Sequence, residues 1–587
     1  MCGIIGYKGK ERALPKILDC LQRLEYRGYD SWGIAVQSDT IQIMKQTGKI
    51  SDVALTDISL PNSFVGIGHT RWATSGKVNA INAHPHSATD KSFVLAHNGI
   101  VENYKQLKDE LLHKGYTFDS ETDTEVIVRL IEDSPSSTHF RAAIQSAFKK
   151  LKGRNTIIIL RENSEMYAVR NGSPLVVGFD DTEIYVSSDT LSFAPYVKKI
   201  IAVDDGQLIH VGESVTFYDL SLDTEVNPHI EDLNIPKDSI NKEGFDHFMI
   251  KEIYENPYVV SQVINQEKEQ YTALAAAIKK AKNVYTIGSG TAGLAAAQIA
   301  YYLRAFGNVK AVSLVGGDAR DYFNFFNNDD ILIAPSQSGE TADVLEVLEF
   351  AKSRNATIAS YVNMPGSAMT RLSDFKFMAR AGPEICVMST KIFVSQIAWG
   401  YLLAKTVEGK FEEGKNNLQS LVKDLSDYLS HKESTAHIKR IAQQLTESRD
   451  IFLMGNAEHT HIAHEGMIKI IEGTYKHAHS IPAGDLKHYA ITLMEEAVPV
   501  IALVGQNKAQ SDIFNAVSEV KARGANVIAI AHEDNELFDQ CITIPHSDEV
   551  SALVTVTCLQ LLAYYMTVEL GNNVDKPRNI AKSVTVK

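Results

Sequence analysis

The sequence predicts an α+β N-terminal domain followed by two α/β subdomains built on parallel sheets. Three observations carry that reading. In roughly the first 220 residues, short apolar strands broken by Gly and Asn turns are mixed with separate helices, the pattern of an α+β layer fold. Beyond about residue 245, apolar strands alternate with helical segments, as in a parallel sheet covered by helices. That second region also repeats one strand–turn–helix unit further downstream.

In the first region, strands are expected at Ser63–His69, Ser92–His97, Asn155–Leu160, Met166–Arg170 and Ile184–Ser188, with helices at Ala13–Leu24 and Thr124–Ile131. Asp219–Glu243 carries two prolines and many charges and reads as a linker. After it, Asn283–Ile287, Ala311–Leu314 and Ile331–Ala334 read as strands, and Leu294–Phe306 and Val344–Ser353 as helices. The repeat matches Asn283-Val-Tyr-Thr-Ile-Gly-Ser-Gly to Arg449-Asp-Ile-Phe-Leu-Met-Gly-Asn, and Ile331–Ala334 to Val500–Leu503. The expected units are therefore a domain over 2–220, a linker over 221–245, subdomains over 246–435 and 436–570, and a tail over 571–587.

Composition narrows the function classes. A chain of 587 residues exceeds one core, since domains run to ~100–200 residues. The formal net charge of -14 argues against a nucleic-acid partner, which calls for a basic face. The opening Met-Cys-Gly-Ile-Ile-Gly has no basic leader before an apolar stretch, so no signal peptide is expected. No run is expected to reach the ~18 apolar residues of a membrane span; the richest, Ser551–Tyr565, is broken by Gln560. The five cysteines (Cys2, Cys20, Cys386, Cys541 and Cys558) are odd in number and scattered, which fits a reducing, cytoplasmic setting without a disulfide or zinc framework. His461, His464 and Glu465 are neighbours on a helix, but no outside ligand joins them, so no metal is expected.

Cys2 is the first candidate for chemistry. Removal of Met1 leaves its thiol beside a free α-amine whose pKa lies near ~7.7–8.0, suited to act as base for that thiol. Arg71, in His69-Thr-Arg-Trp-Ala-Thr, offers a guanidinium in a turn for an amino-acid carboxylate. Asn98 and Gly99 follow a strand and supply two N–H donors for an oxyanion. Asp123 can take an α-ammonium. Taken singly, each has a plainer reading: a surface charge, a hairpin turn, a helix cap.

In the second half, Ser336-Gln-Ser-Gly-Glu-Thr341 follows a buried strand and opens a helix, so its hydroxyls and backbone N–H groups suit a phosphate. The alternative is a simple helix cap. Gly288-Ser-Gly-Thr-Ala-Gly293 formally matches a dinucleotide motif, but the acidic ribose partner is absent, and Ser289 and Thr291 are expected beside the same phosphate pocket. Spacings of four and three residues put Glu465, Lys469 and Glu472 on one helical face, either a site or an exposed ion-pair stripe. His488 sits in the nearby loop. The tail from Asp575 onward is rich in turn residues and ordinarily reads as a frayed end.

These segments resemble known families. Cys2-Gly-Ile-Ile-Gly, Leu24-Glu-Tyr-Arg-Gly-Tyr-Asp-Ser31, His69-Thr-Arg-Trp-Ala-Thr74, Asn82-Ala-His-Pro-His86, His97-Asn-Gly-Ile-Val-Glu-Asn103 and Ser120-Glu-Thr-Asp-Thr-Glu125 are similar to class II glutamine amidotransferases, which are αββα N-terminal-nucleophile sandwiches. The resemblance implies Cys2 as nucleophile, Asn98 and Gly99 as oxyanion donors, and Arg71, Trp72, Thr74, His84, Gly99 and Asp123 around glutamine. Ser75 departs from the histidine common after the Trp-Ala-Thr triplet.

His247-Phe-Met-Ile-Lys-Glu-Ile, Ser336–Asp343, Glu384-Ile-Cys-Val-Met-Ser-Thr-Lys391, Glu465–Glu472, Leu486-Lys-His488 and Pro577–Val586 resemble the isomerase half of the isomerising glutamine–fructose-6-phosphate amidotransferases, two sugar-isomerase (SIS) subdomains. That resemblance implies a sugar-phosphate site of Ser289, Thr291, Ser336, Gln337, Ser338, Thr341, Val387, Ser389 and Lys469. It further implies Lys582 as Schiff-base lysine, His488 as ring-opening group and Glu472 as proton shuttle between C1 and C2. A carboxylate raised toward neutrality by burial, and a lysine with a lowered pKa, are apt for those roles. It implies no cofactor and a homodimer in which the histidine loop is lent across the interface.

Ala292, Tyr489-Ala490, Gly455-Asn-Ala and Leu314–Arg320 depart from the usual pattern, which bears on the identity of the sugar rather than on the reaction class. The expected reaction converts L-glutamine and fructose 6-phosphate to glutamate and glucosamine 6-phosphate. A paralogue aminating another ketose phosphate, and a sugar-phosphate sensor with residual glutaminase activity, are the alternatives.

Overall fold

A computed structural model of the chain describes residues 2–135, 139–233, 241–505 and 510–583. Its N-terminal half holds an eight-stranded and a seven-stranded sheet, antiparallel at every pairing. The two-residue period of a strand explains their stacking. Ile4 points into the core between the sheets while Ile5 points to the helix Ala13–Leu24, and Ile158 and Ile157 divide in the same way between the inter-sheet core and the opposite helical layer. The helix Ala13–Leu24 buries Ala13, Ile17, Leu21 and Leu24 at helical spacing. Tyr104–His113, Thr124–Glu132 and Phe140–Phe148 cover the other sheet. Helix, sheet, sheet, helix is the expected layer order.

The expected linker is more structured than its composition implies. Glu225–Val226 extends the seven-stranded sheet and Glu231–Asp232 the eight-stranded one, because both segments meet an open strand edge. Residues 234–240 lie outside the described residues.

Two five-stranded, fully parallel sheets follow. Their spatial orders are Ala311–Val315, Asn283–Gly288, Asp330–Ser336, Thr357–Val362, Phe375–Met378 and His477–Pro482, Asp450–Gly455, Pro499–Leu503, Asn526–Ala531, Gln540–Thr543. The repeated segments thus occupy equivalent strands. One core runs through both units, with Ile299 and Trp399 from the first and Ile462 and Leu559 from the second.

The helix ending this core departs from expectation. Asp548–Glu569 is long and apolar enough to cross a membrane by length and composition, yet 94% of its apolar window is buried inside the protein. A helix apolar all round needs cover on every side, and both subdomains supply it.

Candidate active site

In the N-terminal half, Cys2 precedes the strand Gly3–Gly9, which lies between Val65–Arg71 and Glu183–Ser187. Its sulfur accepts the N–H of Trp72 at 3.2 Å. Burial pushes the thiol pKa up, while the Trp72 N–H and the Arg71 guanidinium favour the thiolate. A base is therefore needed to activate it. The Asn98 amide donates to the Cys2 carbonyl at 3.1 Å, so the donor of the expected oxyanion hole already lies over the nucleophile's residue.

Asn98 and Gly99 end the strand Phe93–Gly99 rather than follow it. Gly99 has φ +149, and a Cβ there meets the Arg154 carbonyl oxygen at 2.0 Å, so only glycine fits. Asp123 fixes the following turn by accepting the Val101 N–H at 2.7 Å.

Arg71 is the buried last residue of its strand, not a turn residue or a surface charge. Its guanidinium donates to the carbonyls of Ser75, Gly76 at 3.3 Å and Lys77 at 3.2 Å, curling the loop that carries exposed Thr74. His84 lies inside, stacked on His69 at 4.2 Å. Its Nδ1 accepts the His97 N–H and its Nε2 meets Thr124, which leaves neither ring nitrogen for a substrate. Burial holds its imidazole well below the usual range, hence neutral, and its place is in the wall of the site.

The second site is assembled from distant segments. Ser336 and Ser338 turn partly inward: Ser336 Oγ accepts the Gly339 N–H at 2.8 Å, and Ser338 Oγ accepts the Glu340 N–H at 3.2 Å. Ser338 also meets Ser583 of the tail at 2.9 Å. Gln337 and Thr341 are half-buried on the same loop, with Thr341 opening the helix Ala342–Ser353. Ser289 packs close to Gly316, with its hydroxyl oxygen buried and unpartnered. Thr291, which starts the helix Thr291–Ala305, donates its hydroxyl to Glu465 of the second subdomain at 3.3 Å.

The stripe of Glu465, Lys469 and Glu472 is not an exposed ion-pair face. Glu465 is 0% and Lys469 1% exposed, and Glu465 faces Thr291 at the start of the helix Thr291–Ala305. Lys469 Nζ lies 2.5 Å from Glu472 and 3.5 Å from Glu465. Burial, reinforced by the Glu472 charge, raises the Glu465 carboxyl to about 7. Burial disfavours the Lys469 ammonium, but the two carboxylates outweigh it and hold its pKa above the usual lysine range. The carboxyl pushed to neutrality in this stripe is Glu465.

The tail is docked rather than frayed. Val387 N–H donates to the Asp575 carbonyl at 2.9 Å, and the Asp575 carboxylate caps the helix Phe248–Tyr254 through the N–H groups of Phe248 and Met249. Lys576 pairs with Glu25, and Tyr29 Oη donates to the Pro577 carbonyl at 2.9 Å. Lys582 then reaches a buried polar nest, donating to Glu384 and to the Cys386 carbonyl at 2.7 Å. Ser389 also donates to Glu384, at 2.9 Å. Burial works against ionisation of Glu384, but Lys582 keeps its pKa below the usual carboxylate range. Glu252 accepts the N–H groups of Ile385 and Cys386, and burial beside Glu384 raises it to about 8.

Glu252 and Glu384 are members of this nest that spacing did not single out. Both fall in segments that carry the family resemblance, and for Glu384 an acidic residue inside the otherwise apolar stretch 381–388 was the available signal. His488 stands apart. It is exposed in the short helix Ala483–His488, and no hydrogen bond or ion pair among the described residues joins it to Lys582 or Glu472.

Comparison with known proteins supplies the remaining context. Residues 69–194 match the glutamine amidotransferase domain family, and residues 277–406 and 444–570 match the SIS domain family. The chain is 35% identical over 601 residues to a glutamine–fructose-6-phosphate aminotransferase (isomerizing) of Pyrococcus horikoshii, with all of both chains covered. The corresponding figure for the protein of that name from Aquifex aeolicus is 37% over 602 residues, again with full coverage of both. The solved C-terminal domain of glucosamine-fructose-6-phosphate aminotransferase from Francisella tularensis is 26% identical and superposes with a TM-score of 0.51, covering 57% of this chain and 100% of that one.

Proposed function

The chain belongs to the isomerising glutamine–fructose-6-phosphate aminotransferases, and from that premise we propose how its residues divide the work. It transfers the amide nitrogen of L-glutamine to fructose 6-phosphate, giving glutamate and glucosamine 6-phosphate.

Cys2, freed by removal of Met1, attacks the glutamine amide while its own α-amine takes the thiol proton. Asn98 and the Gly99 N–H hold the tetrahedral oxyanion, and ammonia leaves with the returned proton. Water then hydrolyses the thioester to glutamate. Arg71 and Asp123 hold the α-carboxylate and α-ammonium, with Trp72 and Thr74 in the covering loop.

Lys582 forms an imine with C2 of the open-chain ketose and releases water. Ammonia displaces the lysine, and Glu472 carries a proton from C1 to C2 to give the aldose. Lys469 holds the Glu472 carboxylate in place, and Ser289, Ser336, Gln337, Ser338 and Thr341 take the phosphate. Val387 and Ser389 line the imine end, beside Glu384.

The observation that carries this division is a run of contacts between the halves. The Trp72 N–H holds the Cys2 sulfur, the Trp72 ring meets Tyr29 edge-on at 5.5 Å, and Tyr29 holds the tail that carries Lys582. It supports ammonia passing within the protein. We further propose a cytoplasmic homodimer that lends His488 across its interface for ring opening, supported by the exposure of His488 and its neighbours Tyr489 and Leu493. A coupled assay tests the reaction: glutamate and glucosamine 6-phosphate are expected in equal amounts, and glutamine hydrolysis without hexosamine points to another acceptor.

A further inference from the structure

The nest around Lys582 holds a second carboxyl that the division of work above leaves unused. Glu252, 1% exposed, sits one turn into the helix Phe248–Tyr254. Its Oε1 accepts the N–H groups of Ile385 and Cys386 at 2.5 and 3.2 Å. Its Oε2, also buried, has no hydrogen-bond partner among the described residues. An ionised oxygen left bare in this way costs more than a neutral one, which favours the protonated carboxyl.

From Glu252 the contacts lead to the imine lysine. The carbonyl of Cys386, whose N–H Glu252 holds, accepts Lys582 Nζ at 2.7 Å. Val387, the next residue, donates its N–H to the Asp575 carbonyl, and the Asp575 carboxylate caps the helix that carries Glu252. Helix, 385–387 turn and tail therefore close a ring around the amine.

Charge in the nest is divided unequally. Glu384 pairs with Lys582 through one oxygen and accepts the N–H groups of Thr390 and Ile392 at 2.9 and 3.1 Å with the other, so it stays ionised. The charges that act on Glu252 are Glu384 on the loop, Lys582 on the tail and Lys391 at the start of the helix Lys391–Glu408. Lys391 is itself paired with Glu255 at 2.6 Å. A second carboxylate here would favour the ammonium form of Lys582, as two carboxylates do for Lys469 against its burial. Imine formation needs the free amine.

Resting on the functional reading above, we infer that Glu252 is a positioning residue of the amination half: as a neutral carboxyl it fixes the Cys386 carbonyl that aims Lys582, without adding a second negative charge beside the amine.

Trapping the imine tests this without glutamine. The full-length protein is incubated with fructose 6-phosphate and sodium cyanoborohydride, whose hydride reduces the C2=N bond to a stable secondary amine. The adduct on Lys582 is counted by mass spectrometry at pH 7 and pH 9. Glu252→Gln keeps an oxygen for both N–H groups and carries no charge at either pH. Its adduct relative to wild type rises at least ~3-fold from pH 7 to pH 9, because the wild-type carboxyl, raised to about 8 by burial and the Glu384 charge, ionises across that interval. Glu252→Leu holds neither N–H group and forms at least ~10-fold less adduct than Glu252→Gln at pH 7, the effect of leaving a buried donor unsatisfied. A constant ratio of Glu252→Gln to wild type at the two pH values overturns the inference, as does equal trapping in Glu252→Leu and Glu252→Gln. The pH comparison stands by itself if Glu252→Leu does not fold. A wild-type protein that traps no adduct on Lys582 contradicts the functional reading instead.

Discussion

The hydroxyl of Tyr29 donates to the backbone carbonyl of Pro577 at 2.9 Å, tying the glutaminase half to the tail that carries Lys582. A net hydrogen bond of this kind contributes about 1 kcal/mol, too little to hold the fold but enough to bias a loop. Tyr29→Phe is therefore expected to leave each half reaction near wild type and to lower the ratio of glucosamine 6-phosphate formed to glutamine consumed. Parallel measurement of both products checks it.

Asn98 and Gly99 are expected to act on hydrolysis alone. Asn98→Ala lowers kcat for glutamine hydrolysis by about 10²–10³, the usual cost of one oxyanion donor, with a smaller change in KM. Gly99→Ala is worse for the fold as well, since its Cβ has no room beside the Arg154 carbonyl. Steady-state glutaminase kinetics and thermal unfolding separate the two effects.

Lys582→Ala is expected to abolish amino-sugar formation while glutamine hydrolysis continues, because Lys582 touches the second site only. A variant that still makes glucosamine 6-phosphate removes the imine from the account.

Buried Glu465 gives stability a defined pH dependence. Its carboxyl is raised from 4.5 to about 7, so between those values the folded state holds more protons than the unfolded chain. Stability from this group is present below pH ~4.5 and is lost as pH rises toward ~7. Urea unfolding at pH 5 and pH 7.5 checks the sign: the drop across that interval is smaller in Glu465→Gln than in wild type. Lys469→Met, which strips two carboxylates of their shared cation, is expected to cost ~3–5 kcal/mol at neutral pH.

If His488 is lent across a dimer, mixing two inactive variants restores activity. Refolding His488→Ala with Lys582→Ala in equal amounts assembles about a quarter of all sites from the intact halves of two different chains in a two-fold dimer. No recovery in demonstrably mixed dimers places His488 in its own chain's site or outside the reaction.

The candidates Cys2, Arg71, Asn98 and Asp123 stood out in the sequence because each falls in a compact motif: Cys2 precedes a strand, Arg71 and Asn98 lie at strand ends and Asp123 opens a helix. The parallel sheets were readable from strand–helix alternation, down to the equivalence of Asn283–Gly288 and Asp450–Gly455. The polar nest around Lys582 was not, because Lys582 meets Glu384 only when the tail docks across 198 residues of sequence separation. Periodicity put Glu465, Lys469 and Glu472 on one face but not what covers it; Glu465 meets Thr291 of the first subdomain, and its full burial makes it a perturbed carboxyl. Arg71 looked like a turn residue because its loop closes back onto it, a feature of tertiary packing.

Nitrogen released at Cys2 is expected to reach the sugar without mixing with the solvent. Amide-labelled [15N]glutamine supplied with fructose 6-phosphate in a large excess of unlabelled ammonium measures it directly. Glucosamine 6-phosphate carrying undiluted 15N is the expected result; label diluted to the solvent ratio would contradict the account.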